Sequence, residues 1–108
     1  MSRKERIEAM LVDDPQDSFL RYGLAMELIK EDAIDQALEL FAGLMSDSPP
    51  YVPAFLMAAQ QWVQLEKIEQ ARGVLREGIE AARVQNESHA AGEMADLLAN
   101  LGSYGEDA

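Results

Sequence analysis

Asp32-Ala-Ile-Asp-Gln-Ala-Leu-Glu-Leu-Phe41 has an echo further along the chain, Glu66-Lys-Ile-Glu-Gln-Ala-Arg-Gly-Val-Leu75. Ile34 matches Ile68, Asp35 matches Glu69, Gln36 matches Gln70 and Ala37 matches Ala71, every pair 34 residues apart. A period of this length marks a recurring helical hairpin, in which each copy needs a neighbour to bury its apolar face. The residues therefore point to a small scaffold of stacked helices. What the scaffold binds is not written in them.

Working outward, the same offset reaches the ends of the copies. Ile7, Met10, Leu11 and Pro15 stand 34 residues before Phe41, Leu44, Met45 and Pro49. The first three of these follow the i, i+3, i+4 spacing of one helical stripe. Asp13-Asp14-Pro15 ends that helix, because the residue before a proline is pushed out of the α region. A helix this short gains its stability from packing and reads as the closing half of a repeat.

A second helix is predicted over about residues 17–31, with Asp17 or Ser18 as N-cap. Leu20, Leu24 and Leu28, with Ala25, make one apolar stripe, and Tyr22, Met26 and Ile29 make an adjoining one. A helix apolar over so much of its circumference touches something on two sides. A third helix is predicted over roughly 33–46, closed by the loop Asp47-Ser-Pro-Pro50. The fourth, about 52–65, tolerates Pro53 in its first turn. It carries the stripe Phe55, Ala58, Ala59 and Trp62. The fifth runs over about 68–85 to a break at Asn86, with Ala71, Val74, Leu75, Gly78, Ile79 and Ala82 inward. The sixth covers about 88–101. No segment shows the alternating pattern of a strand, so the class is all-α with about six helices.

Composition bounds the rest. A chain of 108 residues holds one domain with a modest core. Cysteine is absent, which excludes disulfides and thiolate chemistry and fits a reducing compartment. The basic start Met-Ser-Arg-Lys-Glu-Arg is not followed by an apolar run, so no secretory signal is read there. No window is apolar for long enough to span a membrane. The net charge of −11 argues against nucleic acid as a partner, and Arg3, Lys4 and Arg6 leave the body of the chain more acidic still. The expected setting is soluble and cytoplasmic.

The aligned positions resemble the tetratricopeptide repeat, with its pattern W-x2-L-G-x2-Y, then A-x3-F, then P. The first full copy meets it with Leu24-Ala25, Leu28, Ala37, Phe41 and Pro49, and the second with Phe55, Ala58-Ala59, Trp62, Ala71 and Leu75. The resemblance covers residues 5–101 and implies antiparallel hairpins stacked as a short right-handed superhelix. The expected layout is one domain over 1–102, with a half repeat at 2–15, repeats at 16–49 and 50–83 and a capping helix at 87–101. A flexible tail is expected at 103–108. Three departures stand out. Arg21 occupies the place of a large apolar residue, Asp32 and Glu66 take a turn position that is commonly glycine, and Arg83 replaces the second closing proline. Aspartate enters the left-handed region more readily than glutamate, so the second turn is expected to be built differently. Without the proline, the fifth helix is free to run on.

The resemblance also implies a function. The first helix of each repeat in this family lines a concave groove that holds a peptide or helix. Carried over, the groove positions are Tyr22, Met26 and Ile29, then Leu56, Gln60 and Val63, then Met94 on the capping helix. These would form an adaptable apolar protein-binding face, or plain core if the last helix folds across them. The lysine and asparagine of the family's carboxylate clamp are missing at Tyr22, Met26, Leu56 and Gln60, and Lys30 alone does not make one. The implied activity is protein–protein interaction, with self-association into a homo-oligomer through the same surface as the alternative. Neither membrane nor nucleic acid is an expected partner.

Catalysis finds no support. His89 lacks a second imidazole or a thiol nearby and reads as a surface or packing residue. Asp13, Asp14 and Asp17 precede a helix N-terminus, where negative charge is favoured, and they lack the spacing and turn glycine of a calcium loop. No phosphate-cradling glycine loop is present, so no cofactor is expected.

Overall fold

A computed structural model describes residues 1–102; the tail expected at 103–108 lies outside the described residues. Among the described residues all the regular structure is helical: α1 (Arg3–Asp13), α2 (Ser18–Lys30), α3 (Ile34–Met45), α4 (Pro53–Gln64), α5 (Ile68–Val84) and α6 (Ser88–Asn100). The six helices and the all-α class are those read from the sequence, with bounds shifted by a residue or two. The chain divides into two compact units, Met1–Tyr51 with α1 to α3 and a second beginning at Val52 with α4 to α6.

In the first unit, Ser2 caps α1 by accepting from the Glu5 N–H at 3.1 Å, while the Ser2 N–H donates to the Glu5 carboxylate at 3.0 Å. This reciprocal box satisfies donors that the first turn leaves open. It also holds the Glu5 carboxyl below its ordinary range. Asp17 caps α2, its carboxylate accepting from the Leu20 N–H at 2.8 Å. Asp14, ahead of Pro15, leaves the helical region at φ −142° and ψ 72°. Ala25, Ala37, Phe41 and Leu44 are fully buried where α2 packs along α3. Small residues there let the helices approach, and each fully buried Leu or Phe contributes about 2 kcal/mol.

Arg21, standing where the family prefers a large apolar side chain, reaches the far end of α3 instead. Its guanidinium pairs with Asp47 at 2.7 Å and lies over Gly43, where an added methyl would be 3.1 Å from Nη2. The pair is partly shielded from water, so it is worth more than an exposed one.

The turns correct one expectation. Asp32, Glu66 and Asn86 all adopt left-handed backbone, at φ 62°, 61° and 60°. Each is followed by the same pair of hydrogen bonds. Ala33 N–H donates to Leu28 O at 2.9 Å and Asp32 N–H to Ile29 O at 3.0 Å. Lys67 to Trp62 and Glu66 to Val63 repeat this at 2.8 and 2.9 Å, and Glu87 to Ala82 and Asn86 to Arg83 at 2.8 and 3.1 Å. This is the Schellman arrangement, which satisfies the last carbonyls of a helix through one left-handed residue. The second turn is thus built like the first. The hairpin geometry and two hydrogen bonds outweigh the preference of glutamate against this region.

In the second unit α5 packs against both α4 and α6. Ala54, Ala58, Ala59, Ala71, Leu75 and Ala82 are completely buried. With Arg83 in place of a proline, α5 runs 17 residues against 12 for α3. Trp62, expected in the core stripe, is half-buried. Gly78 is where three helices meet. A methyl there would lie 2.5 Å from the Met94 sulfur on α6 and 2.6 Å from Phe55 Cβ on α4.

Candidate functional site

Helical periodicity places Tyr22, Met26 and Ile29 on one side of α2, spaced i, i+4, i+7. All three are half-buried, while Ala25 and Leu28 beside them are sealed. Tyr22 is the most constrained of the three. Its ring lies 6.0 Å from Phe41 and 5.6 Å from Tyr51, tilted by 54° and 57°. Tilted pairs at these separations are favourable beyond the area they bury. Burial pushes the Tyr22 phenol pKa up, and the neighbouring Tyr51 acts in the same direction. Tyr51 is held in turn by its N–H, which donates to Leu44 O at 2.9 Å.

The corresponding side of α4 carries Leu56 and Val63, half-buried, and Gln60, exposed. The next residue, Gln61, faces inward at 6% exposure, as do Ala58 and Ala59. Each unit therefore presents one half-open, mainly apolar stripe on its first long hairpin helix.

Met94 does not join them. It is 1% exposed, with its sulfur against Gly78. The side chain is core because the missing Cβ at residue 78 leaves a place for it. Of the other capping-helix positions, Ala90 and Leu97 are half-buried. Lys30 pairs with Glu27 at 3.0 Å. His89 is almost fully exposed, with Nε2 3.3 Å from the Glu93 carboxylate. Among the described residues no three His, Cys, Asp or Glu side chains gather as a metal site, and no helix is long and apolar enough to cross a membrane.

Two polar features escaped the periodic reading. Arg21 pairs with Asp47, as described. Arg72, aligned with Leu38 and 7% exposed, donates to the Glu69 carboxylate and to the Leu101 carbonyl at the end of α6. A buried guanidinium at a helix C-terminus satisfies open carbonyls and complements the negative end of the dipole. No sequence signal marked it, because the partner lies on a helix outside the 34-residue match.

No family model and no curated protein matches the chain. Solved structures do. A solution structure of a tetratricopeptide repeat domain protein from Salinibacter ruber is similar at 30% identity, over 83% of this chain and 91% of that one, with a TM-score of 0.78. A crystal structure of a tetratricopeptide repeat domain protein from the same organism is similar at 29% identity, over 82% and 99%, with a TM-score of 0.75.

Proposed function

As this chain belongs to the tetratricopeptide repeat family, we propose that it is a non-catalytic cytoplasmic module that holds a peptide or helix of another protein. Protein interaction is the general work of such domains. The finer reading assigns the contact to Tyr22, Met26 and Ile29 of α2 and to Leu56, Gln60 and Val63 of α4. One observation carries it: these six side chains stay partly open to solvent while the stripes beside them, Ala25 and Leu28 or Ala58 and Ala59, are sealed. Apolar groups left open along a helix of each unit suit a partner that inserts apolar side chains of its own. Residues 1–102 act together in this reading as a half repeat, two repeats and a cap.

The test is capture of the native partner by the intact protein, repeated with Met26→Glu and with Gln60→Glu. Loss of capture in both supports the assignment, and survival in both overturns it. Light scattering at two concentrations separates heteromeric binding from self-association. A monomer at both is expected, and a concentration-dependent dimer abolished by Met26→Glu would favour the homo-oligomer.

A further inference from the structure

The first unit also holds a recess between α1 and α2. It holds about 350 Å³ and is lined by α1 and α2 alone, through Arg3, Arg6, Ile7, Met10, Phe19 and Gly23 among others. Phe19 is 72% exposed and Met10 48%. These are large apolar side chains left in water, which is costly unless something covers them.

The internal repeat says what shape of group would cover them. Arg3, Arg6, Ile7 and Met10 precede Ala37, Leu40, Phe41 and Leu44 of α3 by 34 residues each. On α3 that face is packed by a helix, α2, and Ala37, Phe41 and Leu44 are all 0% exposed. On α1 Ile7 is likewise buried, at 6% exposure against α2, but Arg3, Arg6 and Met10 around it stay exposed and line the recess. The same side of the same helical unit is thus sealed throughout in one copy and left open at its edges in the other.

The substitutions between the copies say what chemistry the helix would carry. Where α3 has Ala37 and Leu40, α1 presents two guanidinium groups. Arg3 reaches Glu27 at 3.2 Å, and Arg6 donates to the Met1 carbonyl at 3.4 Å with no carboxylate partner among the described residues. A basic rim is unusual on a chain of net charge −11. It favours an acidic occupant.

We propose that the α1–α2 recess docks an amphipathic helix from a partner protein, with an apolar stripe against Met10 and Phe19 over the buried Ile7 and carboxylates facing Arg3 and Arg6. None of the six side chains assigned above lines this recess, so the two readings stand or fall separately.

The probe is a stapled, fluorescently labelled helical peptide with leucine and alanine along one stripe and glutamate on its flanks. Its control carries lysine in place of glutamate. Fluorescence anisotropy with the full chain is expected to show the glutamate peptide binding more tightly than the control. Phe19→Ala, at an exposed position, is expected to weaken it about tenfold, the scale of losing one anchor. Arg6→Glu is expected to reverse the order of the two peptides, and Gln60→Glu to leave both unchanged. Amide shifts on titration should fall on α1 and the first turns of α2. Three results overturn the proposal: peptides that do not bind, peptides indifferent to Arg6→Glu, or a dimer by light scattering that Phe19→Ala dissociates.

Discussion

Gly78 of α5 and Phe55 of α4 approach so closely that a methyl added at residue 78 would lie 2.6 Å from the Phe55 Cβ and 2.9 Å from Cγ. Thirty-four residues earlier the same two positions hold Leu44, 0% exposed, and Arg21. Between the copies a leucine on the second helix and an arginine on the first give way to a glycine and a phenylalanine. Met94 from α6 shares the space, 2.5 Å from the same point. The glycine is a packing requirement of three helices.

Two glycines of α5 should therefore respond in opposite directions to alanine. Alanine is the better helix former by about 1 kcal/mol, and at Gly73, with nothing within 4 Å of the new methyl, that gain should appear nearly whole. At Gly78 overpacking should outweigh it and leave a net loss of about 1–3 kcal/mol. Urea midpoints of Gly73→Ala and Gly78→Ala, compared with the parent, check both signs.

The three left-handed turn residues offer a graded series. Glycine enters this region without the steric cost a Cβ imposes. Replacing Glu66 should raise stability by up to about 1 kcal/mol, Asp32 by less and Asn86 by least, following their tolerance of positive φ. Thermal melting of the three single variants reads the order. An unchanged or lowered melting temperature for Glu66→Gly would contradict the turn assignment.

Arg72 ties α5 to the end of α6, and its removal should cost far more than removal of its acidic neighbour. Arg72→Leu leaves the Leu101 carbonyl without this donor and should lose about 2–3 kcal/mol. Glu69→Gln should change little, because that side chain is 77% exposed and exposed pairs contribute about 0–1 kcal/mol. Hydrogen exchange should also rise selectively in the last turn of α6 for Arg72→Leu.

Tyr22 sets a limit at alkaline pH. Its phenol pKa is raised in the folded state by burial first and by Tyr51 second. Between the unfolded value of about 10 and the higher folded value, the unfolded chain gives up a proton that the folded chain keeps. The stability this group contributes is therefore full below about pH 10 and falls as pH rises through the folded pKa. Tyr22→Phe should be less stable at neutral pH only through any lost polar contact of the hydroxyl. It should also show a shallower decline above pH 10 in denaturant titrations.

Much of this architecture was legible in the residues. The match of Ile34 to Ile68 and Ala37 to Ala71 depends on local helix periodicity and on small residues at hairpin contacts, both written position by position. Asp17 as a cap and Pro15 as a terminator act over three or four residues and were equally readable. The candidate faces were legible only in part. Tyr22, Met26 and Ile29 lie on one side of α2 by the geometry of any helix, but Met94 was misplaced because its burial depends on a glycine in another helix.

The sequence alone therefore determined the six helices and, to within a residue or two, where each ends, since these follow from short-range backbone preferences and a repeated apolar pattern. Tertiary structure decided which apolar residues remain in water and which charges are buried. Phe19 and Met10 stay exposed beside Ile7, while Arg72 is drawn inside to the end of α6. Exposure is a property of what packs against a side chain, and the packing partners come from helices distant in the chain. At residue 66 a glutamate takes the left-handed backbone because hairpin closure requires it, against the local preference of the residue.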